Sequence, residues 1–321
     1  MFETLYLHIG WSKTGTSAIQ YQLDLQQSEL KAQGVLYSKT LQMNDQAHHH
    51  FALAFAPIHG YPAKYKIPEV LEMLEQEMLS EGCHSALVSS ELSPFYFNNP
   101  RFQKWVKKFK KVVVIGTVRR QSDLLLSLFN QLVKDPNVRF KGRFFQMALN
   151  NFPKLNYFQQ LNRWVPKVGK ENILVVPYSD TIVDDFFALF NLSLKSTHDN
   201  VVVNPSLPTS ALMLMQERTV QINDVPQYTH IRDNLISEIG NKAVDDKPKR
   251  VFLTAGELRA IDNNFNNLKL KFLAAYIDAL WATELILNLT DFNGMKELKD
   301  DKDRINLINE EIQCLIKQYQ I

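Results

Sequence analysis

Apolar residues in the first 205 positions of the chain recur in two patterns. Short apolar runs rich in β-branched side chains predict buried strands at 4–9, 85–89, 112–118 and 172–176, with a short extended piece at 35–37. Apolar residues spaced by three and four predict helices at 16–32, 47–56, 68–81, 100–109, 121–134, 154–166 and 183–191. Strands that alternate with helices in this way predict an α/β fold with a central parallel sheet and right-handed crossovers.

Strand patterns nearly vanish after Pro208. The remaining periodic segments predict helices at 209–221, 229–241, 255–266, 268–288 and 303–319, separated by proline, glycine or asparagine. We therefore divide the chain into an α/β core, residues 1–205, and a helical C-terminal extension, residues 206–321. We interpret the extension as packing on the core, while acceptor binding or a dimer contact stays open as its role.

Composition narrows the class of protein. A chain of 321 residues that is 45% hydrophobic can form a sizeable core, and a net charge of +2 gives no bulk attraction to nucleic acid. Two cysteines, Cys83 and Cys314, make neither a disulfide framework nor a zinc motif. No signal peptide or membrane-spanning run is visible, which predicts a cytoplasmic protein, with contact at the periphery of the inner membrane left open.

Residues 8–17, His-Ile-Gly-Trp-Ser-Lys-Thr-Gly-Thr-Ser, join the first predicted strand to the first predicted helix. A glycine loop between a strand and a helix directs backbone N–H groups and a helix N-terminus at an anion. The spacing of Gly10 and Gly15 matches the phosphate-binding loop G-x-x-x-x-G-K-[ST], and Ser17 fills its last position. Thr16 stands where that loop has lysine, and the lysine lies upstream at position 13.

Residues 13–17, Lys-Thr-Gly-Thr-Ser, resemble the 5′-phosphosulfate-binding loop of sulfotransferases that use 3′-phosphoadenosine 5′-phosphosulfate (PAPS). The resemblance extends to a second motif, an arginine that ends the strand 112–118 and a serine eight residues later, which is similar to the family's 3′-phosphate-binding motif. Those residues are Arg119 and Ser127, and arginine's planar fork suits a phosphate. Weaker similarity to bacterial members reaches to about residue 210.

The resemblance implies a P-loop NTPase-like three-layer sandwich and transfer of a sulfuryl group to a hydroxyl or amine of a glycan, a glycolipid or a small molecule. It implies that Lys13 stabilises the departing phosphate and that no metal is required. The residues that it implies for donor binding are Ser12, Lys13, Thr14, Gly15, Thr16, Ser17, Arg119 and Ser127.

The acceptor's proton must go to a base, and two regions offer one. His48, His49 and His50 follow the first helix, and on a helix at most two of them can face one cleft. We favour His49 and then His50. Glu91 is the rival, because it follows the strand 85–89 in a segment that resembles the glutamate-containing segment of glycan sulfotransferases.

Two other functions remain open from the sequence. A P-loop kinase would usually hold magnesium with an aspartate that closes an apolar strand, but the strand 112–118 ends at arginine. A non-catalytic protein that binds a nucleotide or a polyanion could have the same fold. The basic run at 104–111 invites a nucleic-acid interpretation, but Trp105, Val106 and Phe109 have the spacing of a core-facing side, so we expect its lysines to be solvated.

Overall fold

The computed structural model of the protein describes residues 1–57, 62–92, 96–119, 121–190, 207, 209–219, 222, 224–240, 253–254, 257, 260 and 297–298. These residues form two compact units. The first unit contains residues 1–119 and 157–190, and the second contains residues 121–156 and the described residues from 207 onward. The predicted boundary at 205/206 stays a prediction.

The first unit is built on a five-stranded sheet in which every pair of neighbouring strands is parallel. Its strands are β1 (Phe2–His8), β2 (Val35–Tyr37), β3 (Ser85–Ser89), β4 (Phe109–Val118) and β5 (Ile173–Pro177), and their order across the sheet is β2-β3-β1-β4-β5. The predicted α/β class is therefore confirmed, with the two strongest apolar runs, β1 and β4, paired along six residues of register.

The helices of the described residues are α1 (Thr16–Leu25), α2 (Gln27–Ala32), α3 (His49–Phe55), α4 (Ile67–Ser80), α5 (Pro100–Trp105), α6 (Gln121–Lys134), α7 (Phe144–Asn151), α8 (Tyr157–Asn162), α9 (Val165–Val168), α10 (Ile182–Ala188), α11 (Thr209–Thr219) and α12 (Val225–Gly240). None of them is long and apolar enough to cross a membrane.

Apolar side chains cover both faces of the sheet, which explains why the strand patterns are continuous rather than alternating. On one face α1, α2 and α10 pack against the sheet, and Ile19, Phe186 and Ile115 are at the centre of this cluster. On the other face Leu161 of α8 packs against the backbone at Gly116. Burial on both sides stabilises the sheet at about 25 cal/mol per Å² of apolar surface removed from water.

Three helical segments differ from the predicted ones. The predicted helix 16–32 is two helices, because Gln26 leaves helical geometry at φ −104° and ψ 27°. The predicted helix 154–166 is interrupted between α8 and α9, and α7 precedes it where no helix was predicted. The basic run also differs in shape, since α5 ends at Trp105 and β4 begins at Phe109. Its lysines are exposed and these two aromatic residues are buried, as expected.

In the second unit, polar side chains form hydrogen bonds with backbone N–H and carbonyl groups. Asn130 of α6 donates from Nδ2 to the carbonyl of Leu207 (2.8 Å) and accepts from its N–H (3.4 Å). The Tyr228 hydroxyl of α12 donates to the carbonyl of Val133. A short parallel pair, β6 (Leu253–Thr254) with β7 (Glu297–Leu298), was not predicted.

The predicted helices at 209–221 and 229–241 correspond to α11 and α12. Those at 268–288 and 303–319 lie outside the described residues, as does all of the predicted helix 255–266 except positions 257 and 260.

Candidate anion-binding site

The polar residues at the carboxyl edge of the sheet form the candidate site. From β1 the chain leads to β2 at one edge, and from β4 it leads to β5 at the other. The connections therefore diverge between β1 and β4, which are neighbours, and ligands of open α/β sheets bind where connections diverge in this way. The loop after β1 and Arg119 after β4 lie at this point.

The loop after β1 contains two residues in the left-handed region of backbone geometry. Lys13 has φ 70° and Gly15 has φ 82°, both in the left-handed region. Gly15 is the N-cap of α1 and offers no side chain, so no side chain caps the first N–H groups of this helix. Gly10 has no room for a side chain, since a Cβ there would lie 2.4 Å from Thr117 Oγ1. The loop thus presents uncapped N–H groups at a helix N-terminus, as an anion site requires.

Thr14 supports this loop from beneath. Its side chain is fully buried, and its Oγ1 donates to the carbonyl of Trp11 (2.5 Å) and contacts Thr117 Oγ1 (2.7 Å). Because this hydroxyl is used inside the protein, what Thr14 can offer a ligand is its backbone. Ser12 and Ser17 are exposed, whereas Thr16 is buried.

His8, the last residue of β1, is a buried polar residue that the sequence analysis missed. Its Nδ1 lies 2.8 Å from Ser89 Oγ and its Nε2 lies 3.3 Å from Thr117 Oγ1, so the ring joins the ends of β3 and β4 across β1. Burial lowers the pKa of His8 to about 3, which keeps the ring neutral. Its signal in the sequence was a titratable residue at the end of an apolar strand.

With a neutral His8, the partners fix the direction of every hydrogen bond in this network. Thr14 uses its hydroxyl hydrogen on a carbonyl, so it accepts from Thr117, which in turn accepts from His8 Nε2–H. His8 Nδ1 must then accept from the Ser89 hydroxyl, and Ser89 Oγ accepts from the side-chain amide of Gln20 (3.1 Å). This assignment of tautomer and amide orientation satisfies each group and requires a neutral histidine.

Glu91 lies at the end of this network. The same amide nitrogen of Gln20, Nε2, donates to Glu91 Oε2 at 3.1 Å. The negative charge of Glu91 also acts on Lys13 and on His49. The predicted cation and one predicted base are therefore close enough to interact.

Lys13 is half-buried in the loop. Burial lowers the pKa of its ammonium group; the negative charge of Glu91 opposes this shift, and the positive charge of Arg119 adds to it. The ammonium is thus held in a poorly hydrated position beside another cation, where an added anion would be attracted strongly.

Arg119, directly after β4, contacts the loop. Its Nη1 donates to the carbonyl of Lys13 (3.1 Å), and its guanidinium lies over the ring of Tyr178, 4.3 Å from the centroid. The hydroxyl of Tyr157 holds the Arg119 carbonyl at 2.8 Å. Arg119 Nε is buried and has no hydrogen-bond partner among the described residues. A buried guanidinium N–H without an acceptor fits a ligand that supplies one.

The three histidines have different surroundings. His48 is fully buried; its Nδ1 accepts from the N–H of Ser89 (3.0 Å) and its Nε2 donates to the carbonyl of Ser38 (2.8 Å). Burial lowers the pKa of His48 to about 4 despite the hydrogen bond to Ser38, and this ring braces the end of β3.

His49 contacts Ser90 Oγ through Nδ1 (2.9 Å) and Asp45 Oδ2 through Nε2 (3.4 Å). Burial disfavours its charged form, but the hydrogen bond to Asp45 and the negative charges of Glu91 and Asp45 outweigh burial, so the pKa of His49 is raised. Both ring nitrogens of His49 are therefore engaged by protein groups, and one of these contacts would have to break for the ring to take a proton from an acceptor.

His50 lies edge-on to the ring of Tyr65, with centroids 5.3 Å apart. Burial, followed by the positive charge of Lys64, lowers the pKa of His50. Its Nδ1 is buried without a hydrogen-bond partner among the described residues.

Ser127 is the one predicted donor-binding residue in the second unit, where it lies half-buried on α6. The remaining predicted site residues belong to the first unit, including the three candidate bases, His49, His50 and Glu91. No group of three or more His, Cys, Asp or Glu residues in the described part of the chain could hold a metal ion. No protein-family model, curated protein or solved structure matches this chain.

Proposed function

We propose that the protein is a PAPS-dependent sulfotransferase that transfers a sulfuryl group to a hydroxyl or amine of a glycan, glycolipid or small-molecule acceptor. The observation that carries the proposal is the contact between Arg119 and the Lys13 loop. Two segments that resemble the 5′-phosphosulfate and 3′-phosphate motifs are 106 residues apart in the chain, yet a guanidinium of one hydrogen-bonds the backbone of the other. A donor with phosphates on the 3′ and 5′ positions of one ribose needs two such sites side by side.

The groups present fit this donor. Uncapped N–H groups at the start of α1 suit the 5′-phosphate, and the orphaned Arg119 Nε suits a second phosphate. In the transfer, an acceptor oxygen or nitrogen attacks sulfur in line, a new bond to sulfur forms, and the bond from sulfur to the bridging oxygen breaks. Lys13 offsets the charge that grows on the departing phosphate, as electrostatic stabilisation requires. The products are the sulfated acceptor and 3′-phosphoadenosine 5′-phosphate.

We assign the base to Glu91 and keep His49 as the alternative. Glu91 acts electrostatically on Lys13 and has Oε2 held by Gln20, whereas both ring nitrogens of His49 have partners. A carboxylate near the leaving-group cation can take the acceptor's proton without moving other groups. Loss of transfer in Glu91→Gln with retention in His49→Gln is the expected result, and the reverse would reassign the base.

Binding and transfer together test the function. Calorimetry should give clear binding of 3′-phosphoadenosine 5′-phosphate without magnesium and weaker binding of ATP with magnesium; the opposite preference would indicate the kinase. Arg119→Gln should weaken binding about tenfold or more, since a charged hydrogen bond is lost. The matched control Arg101→Gln, an exposed arginine on α5, should not.

Transfer of labelled sulfate from PAPS to a panel of acceptors, read by mass spectrometry, separates an enzyme from a binder. Binding without any transfer, and without hydrolysis of PAPS, would identify the non-catalytic nucleotide-binding protein instead.

A further inference from the structure

Gln20 has a buried side chain that plays no part in the proposed transfer step. It lies on the second turn of α1 and is only 4% exposed. Its Nε2 carries two hydrogens, and both are used: one donates to Ser89 Oγ and the other to Glu91 Oε2, each at 3.1 Å. A buried amide with both hydrogens committed holds a fixed rotamer.

We propose that Gln20 is a positioning residue for Glu91, tying the carboxylate of the base to the buried network that supports the Lys13 loop. The inference rests on the proposed function in that Glu91 is taken as the base. The network runs through Ser89, His8, Thr117 and Thr14 to the carbonyl of Trp11, and each of its hydrogen bonds has one allowed direction. The orientation of the base and the shape of the loop are therefore linked through protein atoms.

The placement of Gln20 makes this role specific. Glu91 follows β3 and has no rigid element of its own, since it lies in a bend. The amide reaches it from the helix that begins in the loop, so the eight-residue segment from Lys13 to Gln20 both carries Lys13 and orients Glu91. Among the described residues, the negative charge of Glu91 also acts on the ionisable groups of Tyr37, Tyr96, His49 and Lys13. Lys13 is a cation, and His49 becomes one when it is protonated.

Gln20→Met tests the inference, because methionine keeps the length and volume of glutamine and removes both donors. Gln27→Met is the matched control: Gln27 is also buried and donates from Nε2 to a carboxylate, Asp24 Oδ1, at 2.7 Å, away from the loop. Hydrolysis of PAPS to sulfate and 3′-phosphoadenosine 5′-phosphate, with water as the acceptor, gives a rate that needs no identified acceptor. In that step water attacks sulfur, the bond to the bridging oxygen breaks, and Glu91 takes the proton.

Loss of the amide removes the buried group that holds the carboxylate of Glu91, so the base should be misplaced while the nucleotide site stays intact. The rate of PAPS hydrolysis in Gln20→Met should therefore fall about tenfold, with no change in the affinity for 3′-phosphoadenosine 5′-phosphate. Gln27→Met should leave both the rate and the affinity unchanged. An unchanged rate in folded Gln20→Met overturns the inference, as does an equal fall in both variants or a matching loss of affinity.

A second measurement does not depend on activity. The side-chain amide protons of Gln20 should exchange slowly in NMR spectra of the wild type, and Glu91→Ala should speed the exchange of one of them at least tenfold. Unchanged exchange overturns the contact itself. If the wild type neither hydrolyses PAPS nor transfers sulfate at any pH, the proposed function is wrong, and so is the catalytic role of Gln20. The exchange data would still decide whether Gln20 hydrogen-bonds Glu91.

Discussion

The carboxyl and amino edges of the five-stranded sheet differ in how their polar and charged side chains are buried and paired. At the carboxyl edge, His8, Ser89 and Thr117 are buried and joined into a network in which every hydrogen bond has one direction. At the amino edge, charged groups such as Lys110 and Glu3 form an ion pair at 2.5 Å while each stays about half exposed. Burying polar groups is costly unless they are fully paired, whereas solvated pairs contribute little to stability. The difference teaches that the polar groups of the carboxyl edge are held in fixed positions by buried partners, whereas those of the amino edge stay solvated.

The largest expected effect is on turnover. Lys13→Ala should lower sulfate transfer about 1,000-fold with little change in melting temperature, because it removes the cation from the departing phosphate. Position 13 keeps a non-glycine residue, so its left-handed backbone is no more strained than before. Lys110→Ala at the amino edge should leave turnover unchanged. Near-normal transfer by a folded Lys13→Ala protein would remove Lys13 from the mechanism.

The second effect is on stability and compares two glycines. In Gly10→Ala the new Cβ would meet Thr117 Oγ1 at 2.4 Å and Thr16 Cγ2 at 2.6 Å, so we expect a loss of about 2–3 kcal/mol in the free energy of unfolding. In Gly82→Ala, near the amino edge, nothing lies within 4 Å of the new Cβ, and only the left-handed φ of 67° costs about 1 kcal/mol. Denaturant unfolding measures both, and equal losses would mean that the loop can move aside.

The third effect is on the pH dependence of stability. The folded state keeps His8 neutral down to a pKa of about 3, while the unfolded chain protonates it near 6.5, so stability should fall as the pH drops from about 6.5 toward 3. Each such histidine contributes a slope of about 1.4 kcal/mol per pH unit, and His48 adds a second one down to about pH 4.

Substitution separates these contributions. His8→Gln should lower the slope between pH 6 and pH 4 by about 1.4 kcal/mol per pH unit, as measured by denaturant unfolding at a series of pH values. The wild type, measured in the same buffer series, gives the reference slope. An unchanged slope in His8→Gln would show that the buried network takes up a proton without unfolding.

Much of the secondary structure of the described residues could be predicted from the sequence. The strand Ser85–Ser89 and the helix Gln121–Lys134 have the predicted bounds, because continuous apolar runs and a clear helical period leave few alternatives. The break at Gln26 was not predicted, since the apolar spacing continues across it. The helix Phe144–Asn151 was also missed, because its two leading phenylalanines follow a short basic loop with no start signal.

Some residues of the candidate site could be proposed from the sequence. The glycine loop, Arg119 and Glu91 were proposed because strand ends and motif spacing are local features of the chain, and the structure places them near one another. His8 and Gln20 were not proposed, because each joins the candidate site through a partner that is distant in the chain. Thr117 is 109 residues from His8, and Glu91 is 71 residues from Gln20.

By itself the sequence determined the α/β alternation, the loop with its displaced lysine, and the presence of an arginine at the end of the central apolar strand. Only the tertiary structure decided which polar side chains meet, which of three adjacent histidines are locked by partners, and that Thr14 faces inward. The physical reason is that periodicity and motif spacing depend on residues that are close together in the chain. Hydrogen bonds between the ends of parallel strands join residues that are far apart in the chain, and no local pattern indicates which residues will pair.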